Sequence, residues 1–302
     1  MKNFLRTNKQ TVPVRDIDNI YVQYELDSIV LLTTEGDEMV VEEFLRWDVE
    51  DSDAKIVVSG RDVTIQGGTR LSSSNMDGLI KLYLPVSYRN NLHISNGCGS
   101  IVSECDLEST GQIALKVTSG SVKLKSIRAE TVHLDAQSGS ISLDRLSGQS
   151  VISAASGTIN IREISGATQD IHAQSGSVKI ASSCSDELNI RCQSGNVTIG
   201  KAVGMVHATC ASGLITVHNM EGSGVFNAHV GNITLSICGT GGTYEVHSNV
   251  GNITLKLPKG APYALEAKSM MSYIKRSSGD TPGLIINAKT SIGKIDITEN
   301  EE

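Results

Sequence analysis

The sequence predicts an all-β fold, a single-stranded β-helix or β-solenoid, and three observations carry that expectation. A short motif centred on a glycine recurs at a nearly fixed interval from about residue 95 onward. The residues that follow each glycine alternate strictly between apolar and polar. The period carries no helical patterning.

The motif is written as TSGSVKL (118–124), QSGSISL (137–143), ASGTINI (155–161), QSGSVKI (174–180) and QSGNVTI (193–199). It continues as ASGLITV (211–217), HVGNITL (229–235), NVGNITL (249–255) and SIGKIDI (291–297). With Gly99 opening the series, the aligned glycines are Gly99, Gly120, Gly139, Gly157, Gly176, Gly195, Gly213, Gly231, Gly251 and Gly293. Their intervals run from 18 to 21 residues until the last, which is 42. That last interval reads as two periods, with Met270–Met271 standing where a glycine is missing. The expectation is therefore about eleven coils of 18–22 residues, right-handed by analogy with parallel β-crossovers.

Each coil is read as two strands meeting at the glycine. Two and four residues after it stand apolar side chains, such as Val122 and Leu124 or Ile233 and Leu235, with a polar residue between them. That is a half-buried strand, apolar inward. Five residues before the glycine stand Leu115, Leu134, Ile152, Ile171, Ile190, Phe226 and Val246, and three before it small residues, including Cys192 and Cys210. The two cysteines fall on one inward rung, which is a packing role. The glycine itself marks a sharp corner that needs a positive φ. Coils stacked about 4.8 Å apart make one continuous elongated unit rather than two globules.

Residues 1–94 are read as a β-rich cap leading into a solenoid at 95–298. Within the cap, Ser28–Val41 reads as a hairpin turning at Glu35-Gly36-Asp37, and Ala54–Gln66 as another turning at Ser59-Gly60-Arg61-Asp62. Seven of the eleven aromatics (Phe4, Tyr21, Tyr24, Phe44, Trp47, Tyr83 and Tyr88) lie here, where a core must be closed. An acidic run of Glu35, Asp37, Glu38, Glu42, Glu43, Asp48, Glu50, Asp51 and Asp53 reads as a solvated edge that resists strand-to-strand pairing. Its functional alternative is a face for a cation or a partner.

The segment LPVSYRNNLHISNGCGSIVS (84–103), followed by the glycine-marked coils, resembles the bacterial putative-adhesin β-solenoid family, a domain of unknown function. The likeness spans roughly Asn19 to Ile297. It implies a β-rich leader, a Leu-Pro segment entering the first coil and a binding rather than catalytic role. Relatives of that kind are often exported or membrane-tethered, and no catalytic residues transfer from them.

Composition narrows the remaining classes. The net charge of −7 and pI near 5.5 disfavour a phosphate-backbone partner, so nucleic acid is set aside. There is no apolar run of 18 residues and so no membrane span. No signal-peptide pattern opens the chain, which points to the cytoplasm. The six cysteines show no zinc spacing and read as reduced thiols. Nucleophile-elbow, phosphate-loop and HExxH patterns are missing, and the corners carry Ser and Asn rather than the Asp of calcium-binding coils. Asn196, Asn232 and Asn252 head N-x-T triplets but read as corner residues.

The remaining candidate is the outward face of the strand before each glycine, with His133, Asp135, Asp170, His172 and Arg191 as its polar residues. Asp135 and His172 fall two coils apart, roughly 10 Å, which is too far for hydrogen-bonded acid–base work. Between Arg89 and Val225 no aromatic residue is available to stack a sugar. The expectation is a non-enzymatic scaffold or binding module with no catalytic residue, cofactor or metal, whose partner is a protein or an envelope component. The alternative is a polysaccharide-acting or polysaccharide-binding β-helix protein. A third reading is end-to-end assembly through Ile295–Ile297, opposed by the acidic tail Glu299-Asn300-Glu301-Glu302.

Overall fold

The computed structural model describes residues 4–46, 50–70, 78–270, 272–278 and 282–299. Trp47, Asp48, Met271, Asn300, Glu301 and Glu302, singled out above, lie outside the described residues. Every element among the described residues is a strand, and the coils stack into a β-solenoid of about ten turns with mostly parallel pairing. The chain forms two compact units, Met1–Ser150 and Val151–Glu302.

The first unit holds β1 (Arg6–Pro13), β2 (Asn19–Tyr24), β3 (Ser28–Thr34), β4 (Glu38–Leu45), β5 (Lys55–Ser59) and β6 (Asp62–Gln66). It continues through β7 (Leu79–Pro85), β8 (Asn91–Cys98), β9 (Ile101–Glu108), β10 (Gln112–Ser119), β11 (Val122–Ser138) and the start of β12 (Ile141–Ser156). The cap does not stack in chain order. Strands β2 and β3 form a coil of their own, enclosed by β6 and β7 on one side and by β8 and β9 on the other. Its inward residues Ile20, Val22, Ile29 and Leu31 are buried and stand in register with Leu92, Ile94, Ile101 and Ser103.

The predicted hairpin at Ser28–Val41 is corrected. Strand β7 pairs parallel to β3 and antiparallel to β4, so the two arms are separated by a strand from later in the chain. Ile80, Leu82 and Leu84 supply the inward side chains that continue the coil stack, and β4 is left to pair with β1 instead. The second predicted hairpin forms as read. Strands β5 and β6 pair antiparallel with Ser59 opposite Asp62, and Gly60 at φ 62° makes the turn.

The second unit comprises the remainder of β12, then β13 (Ile159–Ser175), β14 (Val178–Ser194), β15 (Val197–Ser212), β16 (Ile215–Val230), β17 (Ile233–Ile237) and β18 (Gly242–Val250). It ends with β19 (Ile253–Leu257), β20 (Tyr263–Lys268), β21 (Tyr273–Ser278), β22 (Leu284–Ile292) and β23 (Ile295–Glu299). The ladders run as the repeat predicts: Ile190 opposite Ala208, Ala208 opposite Phe226, and Phe226 opposite Val246.

Gly195 and Gly213 show why the corner is glycine. Both have φ near 143°, and a Cβ on either would strike the carbonyl oxygen of the corner glycine one coil earlier. Backbone conformation and space exclude any side chain together. A second column of corner glycines, Gly166, Gly204, Gly222 and Gly242, closes the other end of the coils with φ of 111–138°. Ser185 takes the place where that column has no glycine. Inside, Phe226 is fully buried beside Gly224, whose absent Cβ leaves the space occupied by the phenyl ring.

The interval between Gly251 and Gly293 is also corrected. Strand β18 pairs directly with β22, and β19 with β23, so Gly293 stacks on Gly251 with no coil between them. The intervening chain makes the antiparallel pair β20–β21, and β20 joins the far side of β22. Met270 is 77% exposed and fills no corner. This is why the turns number about ten rather than eleven.

Candidate functional site

The predicted face is built by period-2 alternation, which turns the residues six and four before each corner glycine outward. In the first unit it carries His133, exposed, and Asp135, half-buried, with Lys116 Nζ 3.9 Å from Asp135 Oδ2. The same row includes Tyr21, whose ring stacks on His93 at 4.9 Å with planes 15° apart. Burial, and then the nearby His133, hold the His93 imidazole below its ordinary value. Tyr21 belongs to the cap in sequence but reaches this face because β2 lies beside β8, so the outward face has a ring that the repeat alone does not show.

In the second unit the corresponding outward positions carry Asp170, His172 and Arg191. Asn189 Nδ2 donates to Asp170 Oδ1 at 3.1 Å, and His172 stands in register with Arg191 on the next coil. His207 lies 4.0 Å from Glu187. These are surface pairs, and among the described residues no three His, Cys, Asp or Glu side chains gather as a metal-binding group.

Inward polar residues close the corners. Asn96 Nδ2 donates to the Asp27 carbonyl at 2.7 Å, Ser248 Oγ to that of Gly231 at 2.9 Å, and Thr290 Oγ1 to that of Gly251 at 2.8 Å. Cys192 and Cys210 occupy the same column, their thiols 3.4 and 3.2 Å from the carbonyls of Gly176 and Gly195. The neighbouring Cys210 thiol, followed by burial, raises the Cys192 thiol far above the ordinary range. Both are structural thiols. Asn196, Asn232 and Asn252 act as corner residues, their side-chain oxygens accepting from the backbone N–H of Leu214, Asn252 and Lys294.

A charged cluster in the cap departs from this pattern. Glu43 lies on the inward side of β4 with Met39, Val41 and Leu45, and is fully buried. The acidic run is therefore not wholly a solvated edge. Glu43 accepts from the Ala54 N–H at 2.7 Å, Asn8 Nδ2 at 3.0 Å, Tyr24 Oη at 3.2 Å and Arg70 at 3.4 Å. Arg70 Nε also donates to Asp27 Oδ2 at 2.8 Å, and Asp27 is 1% exposed. Burial pushes the Asp27 carboxyl up, opposed by Arg70. Burial and Glu43 push the Tyr24 hydroxyl well up.

Tyr24, Asp27 and Arg70 of this cluster line a cleft of about 740 Å³ in the first unit, with Glu43 bonded behind them. Its rim includes Gln23, Glu25, Asp51, Lys55, Gln66, Ser95 and Thr118, all exposed. Sequence reasoning missed the cleft because it is assembled from the corner of a coil that is discontinuous in the chain. The one local signal was Glu43, an acid in the inward phase of an otherwise apolar strand. A second hollow of about 700 Å³ lies among His218, Ser236, Lys256 and Glu299 in the second unit.

Among solved structures, the chain is similar to a "putative adhesin" from Parabacteroides merdae at 11% identity, covering 98% of this chain and 97% of that chain, with a TM-score of 0.39. It is also similar to a "putative cell adhesion protein" from Clostridium sporogenes, at 13% identity, coverage of 98% and 99%, and a TM-score of 0.27. A "putative lipid binding protein" from Parabacteroides distasonis matches at 14% identity, 98% of both chains and a TM-score of 0.35. No curated protein matches the chain. The family model described as Toastrack DUF4097 matches residues 17–298, and the chain belongs to that family.

Proposed function

We propose that this protein is a non-enzymatic binding module in which the coils act as scaffold and the cleft of the first unit holds the partner, a protein or an envelope component. The observation that supports this reading most directly is the contrast in polar chemistry. The corner side chains are committed to the backbone, Asp135 and Glu187 pair with Lys116 and His207 on the outward face, and the cleft joins a buried, cross-bonded floor to an exposed polar rim. A buried network of this kind holds its neighbours in one arrangement, which favours recognition.

The test is a crosslinked pull-down of the tagged chain from its native cells, with soluble and membrane fractions analysed separately. Gln23→Ala with Gln66→Ala is expected to abolish capture of the recovered component. Alanine at His133, Asp135, Asp170, His172 and Arg191 is expected to leave capture intact. The reverse result moves the site to the outward face. All six cysteines are free, which supports a reducing compartment. Recovery of the protein from the cytoplasmic fraction is the expected outcome, and recovery from the cell surface overturns that placement.

A further inference from the structure

We infer that the cleft of the first unit binds a neutral, hydroxyl-rich carbohydrate chain, an inference that rests on the binding-module reading above. The argument is one of matching donors and acceptors. A sugar hydroxyl both donates and accepts, so its natural partners are groups that do the same or that alternate in sign across a short distance. The rim supplies two amides, Gln23 and Gln66, adjacent in register on β2 and β6, and two hydroxyls, Ser95 and Thr118. Among the described residues, the side chains of Gln23 and Gln66 have no hydrogen-bond partner within the chain. Glu25 and Asp51 add acceptors, and Lys55 adds a donor.

The same chemistry argues against other ligands. An anion needs available cations, but the Arg70 guanidinium is held by Asp27 and Glu43, and Lys55 shares the rim with Glu25 and Asp51. A protein partner anchors through apolar or aromatic side chains in a desolvated pocket. Among the described residues that line the cleft, the one aromatic is Tyr24, which is buried beneath it. The volume lies within the roughly 300–1,000 Å³ common for small-molecule sites. Tyr21 lies two residues from Gln23 on the same side of β2, about 7 Å along the strand, where its half-exposed ring can meet the next sugar.

The experiment uses the full chain on an array of neutral, amino-sugar and acidic oligosaccharides. The expected result is binding to neutral glycans, and weaker or no binding to carboxylated and sulfated ones. In Gln23→Ala/Gln66→Ala the affinity for the best neutral glycan should fall at least tenfold. Circular dichroism should be unchanged, because both positions are exposed. Absence of binding to any neutral glycan, binding confined to acidic glycans, or full affinity in the double variant each overturns the inference. Cleft-dependent capture of a protein in the pull-down, without glycan binding, would leave the binding-module reading standing and remove this one alone.

Discussion

The two units solve the same problem, how to turn a strand back on itself inside a stack, in different ways. In the second unit the corner is a column of glycines, and each backbone carbonyl sits where the next side chain would be. In the first unit the column ends at Asp27, whose carbonyl lies under Gly99, and the turn beyond it is secured by Arg70, Asp27 and Glu43. A repeat can close its corner with backbone alone because a neighbouring coil always supplies the same surface. A cap has no such neighbour, so it uses charged side chains and accepts the cost of burying them.

The largest effect should come from Arg70→Met, which leaves two buried carboxylates without their cation. A loss of about 3–5 kcal/mol in denaturant unfolding is expected. The pH dependence gives a sharper check. Burial already holds Asp27 above its ordinary value of 3.8, and Arg70 pulls it back. Without Arg70 the folded state binds a proton at a pH where the unfolded chain has released it. The penalty is then full near neutral pH and fades as pH falls toward 3.8. A loss that is the same at pH 4 and pH 7 would falsify the assignment of charge to this cluster.

Gly213→Ala tests the other kind of corner. With φ of 143° and the Gly195 carbonyl in the path of the new methyl group, about 3 kcal/mol of destabilisation is expected. The effect should not depend on pH, in contrast to Arg70→Met. A third variant, Gly224→Ala, forces a methyl group against the Phe226 ring and should cost about 1–3 kcal/mol. Combining it with Phe226→Leu should cost less than the two single changes added together, and a double-mutant cycle reads that coupling. Smallest of all is Cys192→Ser, expected within about 1 kcal/mol of the parent. Ser248 already fills the equivalent position and donates to the corner carbonyl at 2.9 Å. A large loss in this last variant would mean that the thiol pair has a role beyond packing.

Much of this was legible in the sequence wherever the physics is local. The alternation around Val178 and Ile180 placed inward and outward residues correctly, and the outward placement of His133 and Asp135 followed from the same period. The second glycine column was readable too, since Gly166, Gly204 and Gly222 each stand nine residues after a corner glycine. The cleft was not. The inward phase of Glu43 can be seen in β4, but its partners Arg70, Asn8 and Tyr24 arrive from other strands, and no spacing relates them. The false coil at Met270 failed for a related reason. Counting residues gave two periods, while the pairing of β18 with β22 depends on which strand edge was free.

The enclosure of β2 and β3 between strands that come later in the chain bears on how the protein can change length. Within the second unit, residues 195–212 carry one full coil from glycine to the residue before the next. Their removal would join Ser194 to Gly213 and leave the Ser-Gly motif intact. Coils of that kind can be duplicated or deleted as whole units during evolution, one ladder rung at a time. The cap cannot be edited in that way, because its coils are woven from segments out of order, and losing any one strips two others of their neighbours. A lineage of such proteins would therefore vary in its number of coils while keeping a cap of constant size.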